Sequence, residues 1–458
     1  MKWPFPRLLS PFDRLVLAIL LGLGLLLAGV VVAGWWAEAR LPVSGSVDQA
    51  VGSRGPFELR FEQEMQPESV EERIEITPSV AGKFTWEGSK VRFWPAMPLE
   101  IGSVYRITLR PGSKSASGRV INRVAAWDFT VRSPSVVFVH PADQPDLWIY
   151  APEGRSLKQL TRTGGKVFDY GASTGGDHII LSVMNAMDGI DLWLYMRATG
   201  SMEKLLDCGK DWCFNPAWSP ADDKIAYVRR SAGEGPGSQP GIPRVFILDS
   251  PSRIDHILYG SEKVAGTSPA WSPDGRYLAF FDTLAGGIRI FDLETGKAVV
   301  IQTQSGLMGT WSPDSRRLAL LNFQQAASGR PYSAVYFFTP QDQRLEKFLP
   351  DDQEQFDYSV PSWSPDGEWL ALAFQPSGAS PSKQIWLMRP DGSQAQAVTG
   401  DENFTHAAYS FSPDGGLLVY QRISLSASQA RPELMVWQRD SGEAYSISED
   451  AALPAWLP

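Results

Sequence analysis

At 458 residues the chain is longer than one ordinary domain, so division into two or more is expected. Lys and Arg number 42 against 51 Asp and Glu, and the formal charge of -9 lacks the basic footprint of a nucleic-acid binder. Four His and two Cys leave little material for histidine-based metal or triad chemistry, whereas 41 Gly and 35 Pro describe a turn-rich globular chain.

Leu15 to Ala37 carries no charge. Its roughly 23 residues would rise about 34 Å as a helix, enough to span a hydrocarbon core, so residues 15–37 are expected to form a transmembrane anchor. Lys2, Arg7 and Arg14 precede this run, while Arg40 alone follows it closely. The positive-inside rule then makes residues 1–14 a cytoplasmic tail and places everything after the span outside the cytoplasm, with Trp35 and Trp36 in the interfacial belt. Ala37-Glu38-Ala39 has the small-x-small form of a cleavage site; the alternative is a cleaved signal peptide, although the apolar run exceeds the usual length of such a core.

After a linker (38–50), residues 51–133 show short alternating segments: Phe57 to Phe61, Arg73 to Ile76, Lys83 to Trp86, Val91 to Trp94, Tyr105 to Leu109 and Trp127 to Val131. Period-two strands separated by turns such as Glu87-Gly88 and Pro111-Gly112 predict a β-sandwich. The run from Phe61 to Val70, then TPSVAGKFTWEG, FWPAMPLEIGSVYRITL and WDFTV, resembles the bacterial Ig-like modules of surface proteins. That resemblance implies a spacer or adhesion module, here a stalk between membrane and larger domain.

Residues 134–458 repeat. The marker Trp-Ser-Pro stands at Trp218, Trp271, Trp311 and Trp363, with a variant at Phe411-Ser412-Pro413 and a truncated copy at Trp456-Leu457-Pro458. Asp274-Gly275, Asp366-Gly367 and Asp414-Gly415 are tight-turn pairs, and Asp314-Ser315 and Asp222-Asp223 hold the equivalent places. An apolar strand follows each turn (at His178, Lys224, Tyr277, Arg317, Trp369 and Leu417), then a third strand and a more polar fourth. Four strands per repeat predict a β-propeller with its blades buried most deeply near the axis. Val136 to Thr161 supplies three strands without a marker, and Pro454-Ala455-Trp456 supplies a first strand at the other end. Closing the ring with that last strand gives seven blades; because Tyr170-Gly171-Ala172-Ser173 replaces the marker in one copy, six blades are the alternative.

These repeats look like the TolB-like propeller repeats of bacterial envelope proteins. The resemblance implies a bacterial, membrane-associated extracytoplasmic protein. Its family spans binding platforms, regulatory halves of peptidases and members without known activity, so the fold leaves the function open. The marker residues, including Asp274, Asp314, Asp366 and Asp414, are read as structural.

In a four-strand meander, turns after strands one and three share one face and those after strands two and four share the other. The long Gly-, Pro-, Ser- or Ala-rich insertions, at Arg229 to Pro243, Asn322 to Ser333, Gln375 to Ser382 and Ile423 to Pro432, follow strand two. That face is expected to carry ligand binding. Its blade connections bring Asp351, Asp352, Glu354 and Asp357, then Asp401 and Glu402, then Glu449 and Asp450, as an acidic sector for a cationic partner or a divalent ion. Phe356, Tyr358, Phe404 and Trp212 are candidate aromatic contacts on the same face. Cys208 and Cys213 are close enough for a disulfide in an oxidising compartment; two free thiols are the alternative.

Nucleophile-elbow, His-Glu-x-x-His, Walker and dinucleotide motifs are absent from the sequence. No catalytic, cofactor or metal residues are assigned. The reading is a membrane-anchored, non-catalytic binding or scaffold protein for a protein, peptide or cell-wall component. The alternatives are a channel-sited carboxylate hydrolase of glycans or peptides and the ectodomain of a partner-dependent sensor.

Overall fold

A computed structural model describes residues 12, 19–29, 50–233, 235, 238–325, 329, 331–349, 356–376, 381–427 and 430–458. Most of the expected span Leu15–Ala37 lies outside these residues. Residues 19–29 are helical, and among the described residues no helix is long and apolar enough to cross a membrane. The chain divides into two compact units. Pro56–Met97 and Ser103–Thr130 belong to one; Val131–Pro458, with Val51–Gly55 and Pro98–Gly102, form the other.

In the smaller unit, Lys90–Pro95 pairs antiparallel with Phe57–Arg60 and Gly82–Glu87, and Val104–Leu109 pairs with Ile74–Thr77 and Ala125–Val131. Alternation sends Phe57, Leu59, Val91, Phe93, Tyr105, Ile107 and Phe129 inward. Phe57 stacks on Phe93 with ring centroids 5.0 Å apart and meets Phe129 at 5.3 Å. A short helix, Pro67–Glu71, with proline in its first turn, is the element the alternating pattern did not announce.

The larger unit is an all-β propeller of four-stranded meanders. In one of them Gly266–Trp271, Tyr277–Asp282, Gly287–Asp292 and Ala298–Gln302 pair in that order. The second strands elsewhere are His178–Met184, Lys224–Arg230, Leu318–Gln325, Leu370–Pro376 and Leu417–Ser424. First strands of successive blades lie against one another. The last strand, Ala452–Leu457, packs between Phe404–Phe411 and Val167–Ala172 and pairs antiparallel with Ser135–His140, Trp456 opposite Val136.

Burial does not peak at the axis. Ile225, Ala226, Tyr227 and Val228 on a second strand are fully buried, as are Leu318, Ala319, Leu320 and Leu370 to Ala373, while Trp218 and Trp271 on first strands keep partial exposure. The second strand is covered by blades on both faces and by strands on both edges; the first has one edge open to the bore.

The marker forms the same turn in four blades. Ser272 donates to Asp274 at 2.5 Å and accepts the Tyr277 amide at 2.8 Å. Ser312 with Asp314 and Ser364 with Asp366 repeat this at 2.6 and 2.5 Å, and Ser412 with Asp414 does likewise. The next residue is left-handed, with φ of 75° at Gly275, 73° at Gly367 and 76° at Gly415, which is why glycine recurs there. Asp222 and Ser315 adopt the same conformation without it, at 52° and 62°. Where Ala221 replaces the turn aspartate, Asp223 takes over and accepts from Ser219 at 2.7 Å. The aromatic position ties neighbouring blades: Trp271 Nε1 donates to the Ala217 carbonyl at 3.0 Å, Trp311 to Ala270 at 3.3 Å and Trp456 to Ser410 at 3.0 Å. In the divergent copy the Tyr170 hydroxyl reaches the Val137 and Leu453 carbonyls.

Candidate binding face

The opposite end of the blades is built differently. Here buried aspartates fasten the blade connections. Asp146 accepts from the Thr161 hydroxyl at 2.8 Å and the Thr163 amide at 2.7 Å. Asp191 accepts from the Cys208 amide and Asn185 Nδ2, both at 2.9 Å, and pairs with Lys204 at 2.8 Å. Asp282, fully buried, accepts from Arg289 Nη2 at 2.7 Å and Nε at 2.9 Å, and from the Ala265 amide at 3.2 Å.

Of the expected acidic sector, Asp351, Asp352 and Glu354 lie outside the described residues. Asp357 pairs with Lys383 at 3.3 Å and accepts both the amide and the hydroxyl of Ser333. Burial alone would raise its pKa, but the Ser333 hydroxyl and the Lys383 ammonium outweigh that and hold the carboxyl below its ordinary value. Asp450 pairs with Arg431 at 2.8 Å. Asp401 caps its own turn, accepting the Asn403 amide at 3.0 Å, while Glu402 and Glu449 are exposed. Among the described residues no three His, Cys, Asp or Glu side chains form a group able to hold a metal ion.

The aromatic candidates divide. Tyr358 is buried, its hydroxyl pKa pushed up to about 12, and Phe356 packs on it and on Phe374. Phe404 lies under the Arg422 guanidinium at 4.4 Å. Trp212 remains exposed, its indole N–H donating to the Asp188 carbonyl at 3.0 Å. Cys208 and Cys213 form a disulfide around it, resolving the two alternatives for these residues.

Two of these residues line a concavity of about 300 Å³ between neighbouring blades. Asp357 and Tyr358 meet Leu307, Phe323, Ser333, Ser359 and Lys383 there. Leu307 and Phe323 are exposed apolar walls, and Lys383 holds the base through three long contacts, 3.3 Å to Asp357 Oδ2 and 3.4 Å to both the Tyr358 carbonyl and the Ser359 hydroxyl. Apolar, hydroxylated and charged side chains thus share one concavity. Lys383 was missed in the sequence because it stands between a long insertion and the third strand, Gln384–Met388, with no motif around it.

Residues 245–456 match the family model described as TolB beta propeller domain, and residues 38–131 match that described as bacterial Ig-like domain. The chain is 26% identical over 296 residues to the Tol-Pal system protein TolB of Gluconobacter oxydans, covering 63% of this chain and 59% of that protein. It is 41% identical over 73 residues to the protein of the same name from Alcanivorax borkumensis, 15% of this chain and 16% of that one. The chain thus spans under two thirds of the length of either relative. Among solved structures, a prolyl endopeptidase from a study of inter-domain dynamics shares the fold at 12% identity and a TM-score of 0.52, over 84% of this chain and 51% of that one. The chain therefore carries a TolB-like β-propeller and a bacterial Ig-like domain.

Proposed function

We propose that this is a bacterial envelope protein in which a seven-bladed propeller, residues 134–458, is held outside the cytoplasm by an anchor at 15–37 and an Ig-like stalk at 51–133. It acts as a non-catalytic binding or scaffold module for a protein, peptide or cell-wall component, recognised on the long-loop face. The pairing of Ala452–Leu457 with Ser135–His140 supports the count of seven, and the Cys208–Cys213 disulfide suits an oxidising compartment. The observation that carries the binding role is the concavity floored by Lys383 and Asp357 and walled by Leu307 and Phe323. Asp401, Glu402, Glu449 and Asp450 are proposed as its charged surround, together with Asp351, Asp352 and Glu354.

The test is capture from envelope membranes on the full chain, comparing native protein with Lys383→Glu and with Asp401→Asn/Glu402→Gln. A partner held by native protein and lost with Lys383→Glu supports the platform and locates its face. Capture indifferent to Lys383 contradicts this placement.

A further inference from the structure

We infer that the edge strand Gly82–Glu87 of the Ig-like unit pairs with the same strand of a second copy of this chain, antiparallel about Thr85. The inference goes beyond the binding role proposed above and does not depend on it. Gly82–Glu87 pairs with Lys90–Pro95 on one side, and among the described residues no other strand pairs with it. Ala96 donates to the Ala81 carbonyl at 2.8 Å, which fixes the alternation along this pair. Lys83, Thr85 and Glu87 therefore turn their N–H and C=O groups toward Lys90–Pro95, while Phe84 and Trp86 turn theirs outward. An open ladder on a strand of β-forming residues is a template for a further strand. Other edges of this unit are blunted, since Phe57–Arg60 begins just after Pro56 and Ile74–Thr77 ends at Pro78.

The residues of this edge are their own complement. Counted outward from Thr85, an aromatic stands on each side at Phe84 and Trp86, and opposite charges stand next at Lys83 and Glu87. An antiparallel pair centred on Thr85 sets Thr85 against Thr85, each Phe84 against a Trp86 and each Lys83 against a Glu87. The same register matches the backbone, because Phe84 and the second copy's Trp86 both turn their free groups outward and can exchange both hydrogen bonds of a pair. It also matches the faces: Lys83, Thr85 and Glu87 are exposed, and Phe84 and Trp86 are half-buried on the other side. A slip of one residue would oppose outward-turned and inward-turned backbone. A slip of two sets Lys83 or Glu87 against Thr85 and shortens the ladder.

Charge favours this register by position. Lys83 has no ion-pair partner among the described residues. Glu87 lies 3.4 Å from Arg92 and opposite Lys90, so in the paired sheet it stands between the cations of its own sheet and Lys83 of the second copy. The exposed face as a whole carries Arg60, Lys83, Lys90 and Arg92 against Glu58 and Glu87, so the complementarity rests on where Lys83 and Glu87 meet and not on net charge. The strand is also held in place beforehand. Phe84 meets Phe93 at 4.9 Å, Trp86 stacks on Phe61 at 6.2 Å and gives its indole N–H to Glu71 at 2.8 Å, and Thr85 accepts from the Trp94 indole at 2.9 Å. An edge fixed in this way loses little conformational entropy on pairing.

The full chain in detergent is followed by sedimentation velocity over a concentration series, and by non-reducing gels after mild oxidation. Its two cysteines are joined as Cys208–Cys213, so an added cysteine is the only free thiol. Thr85→Cys places a non-hydrogen-bonded pair on the two-fold axis, about 4.5 Å between Cα atoms, and should give a covalent dimer. Lys83→Cys lies roughly 13 Å from its counterpart in this register and should not. Lys83→Glu opposes like charges at both symmetry-related pairs and should weaken self-association by about tenfold, while Lys83→Glu/Glu87→Lys should restore most of it. Melting curves confirm that each variant folds. A native chain that stays monomeric throughout the series overturns the inference. So does cross-linking of both cysteines alike, or of neither, and so does self-association unmoved by Lys83→Glu.

Discussion

The two ends of the propeller strands solve one problem, how to turn a polar backbone, in opposite ways. On the marker face four blades use the same serine, the same aspartate and the same left-handed position, so the chemistry is repeated and inward-looking. On the long-loop face each connection has its own solution: a threonine pair on Asp146, a disulfide beside Asp191, and a partly buried arginine on Asp282. Repetition marks residues that serve the fold, while the departures from it show where a surface is free to become specific.

This contrast can be broken most severely at Asp282. Replacing it with Ala leaves the partly buried Arg289 without its partner and the Ala265 amide without its acceptor, and should cost about 3 kcal/mol in chemical denaturation. A cost below about 1 kcal/mol would mean that the long-loop connections are held by something other than their carboxylates. The marker face predicts smaller and uniform losses. Ser272→Ala, Ser312→Ala, Ser364→Ala and Ser412→Ala each remove a hydroxyl bridging an aspartate and an amide, and each should lose about 1–2 kcal/mol, alike to within about 0.5 kcal/mol. Unequal losses would dissolve the claim that the copies are equivalent.

The smallest effect concerns His406, whose Nδ1 lies 2.8 Å from the Lys383 carbonyl. Burial is the largest influence on it and depresses its pKa below the ordinary value near 6.5. The folded state therefore favours the neutral ring, and the unfolded chain binds more protons below pH 6.5. Stability contributed by this residue is present above that pH and is lost as pH falls through the interval below it. Melting curves at pH 7 and 5 should show a larger acid loss in native protein than in His406→Gln; identical losses would remove His406 from the account.

Much of the fold was legible because propeller and sandwich strands alternate in a way that burial enforces, and because the marker turn requires a small set of residues. The order of strands, the turn aspartates and the pairing of the last strand with the first blade could be written from the sequence; its register, Trp456 opposite Val136, could not. The burial maximum could not, since it depends on which strand is enclosed on every side. The binding face was partly legible. Long insertions pointed to it and Asp357 was named, but charge counts could not show that Ser333 and Lys383 already engage that carboxylate. Nor could they show that Lys383 floors the concavity, because a lysine just before a strand reads as ordinary surface. Trp212 was named as one residue; its contact with Phe168 on the next blade needed the three-dimensional register.

The central claim is that recognition belongs to the long-loop face. The most direct measurement is hydrogen exchange on the full chain with and without the partner captured through Lys383. The account predicts added protection in Ser305–Leu307, Asp357–Val360 and Lys383–Ile385, with the marker turns at Ser272–Gly275 and Ser364–Gly367 unchanged. Protection confined to the marker turns would contradict it.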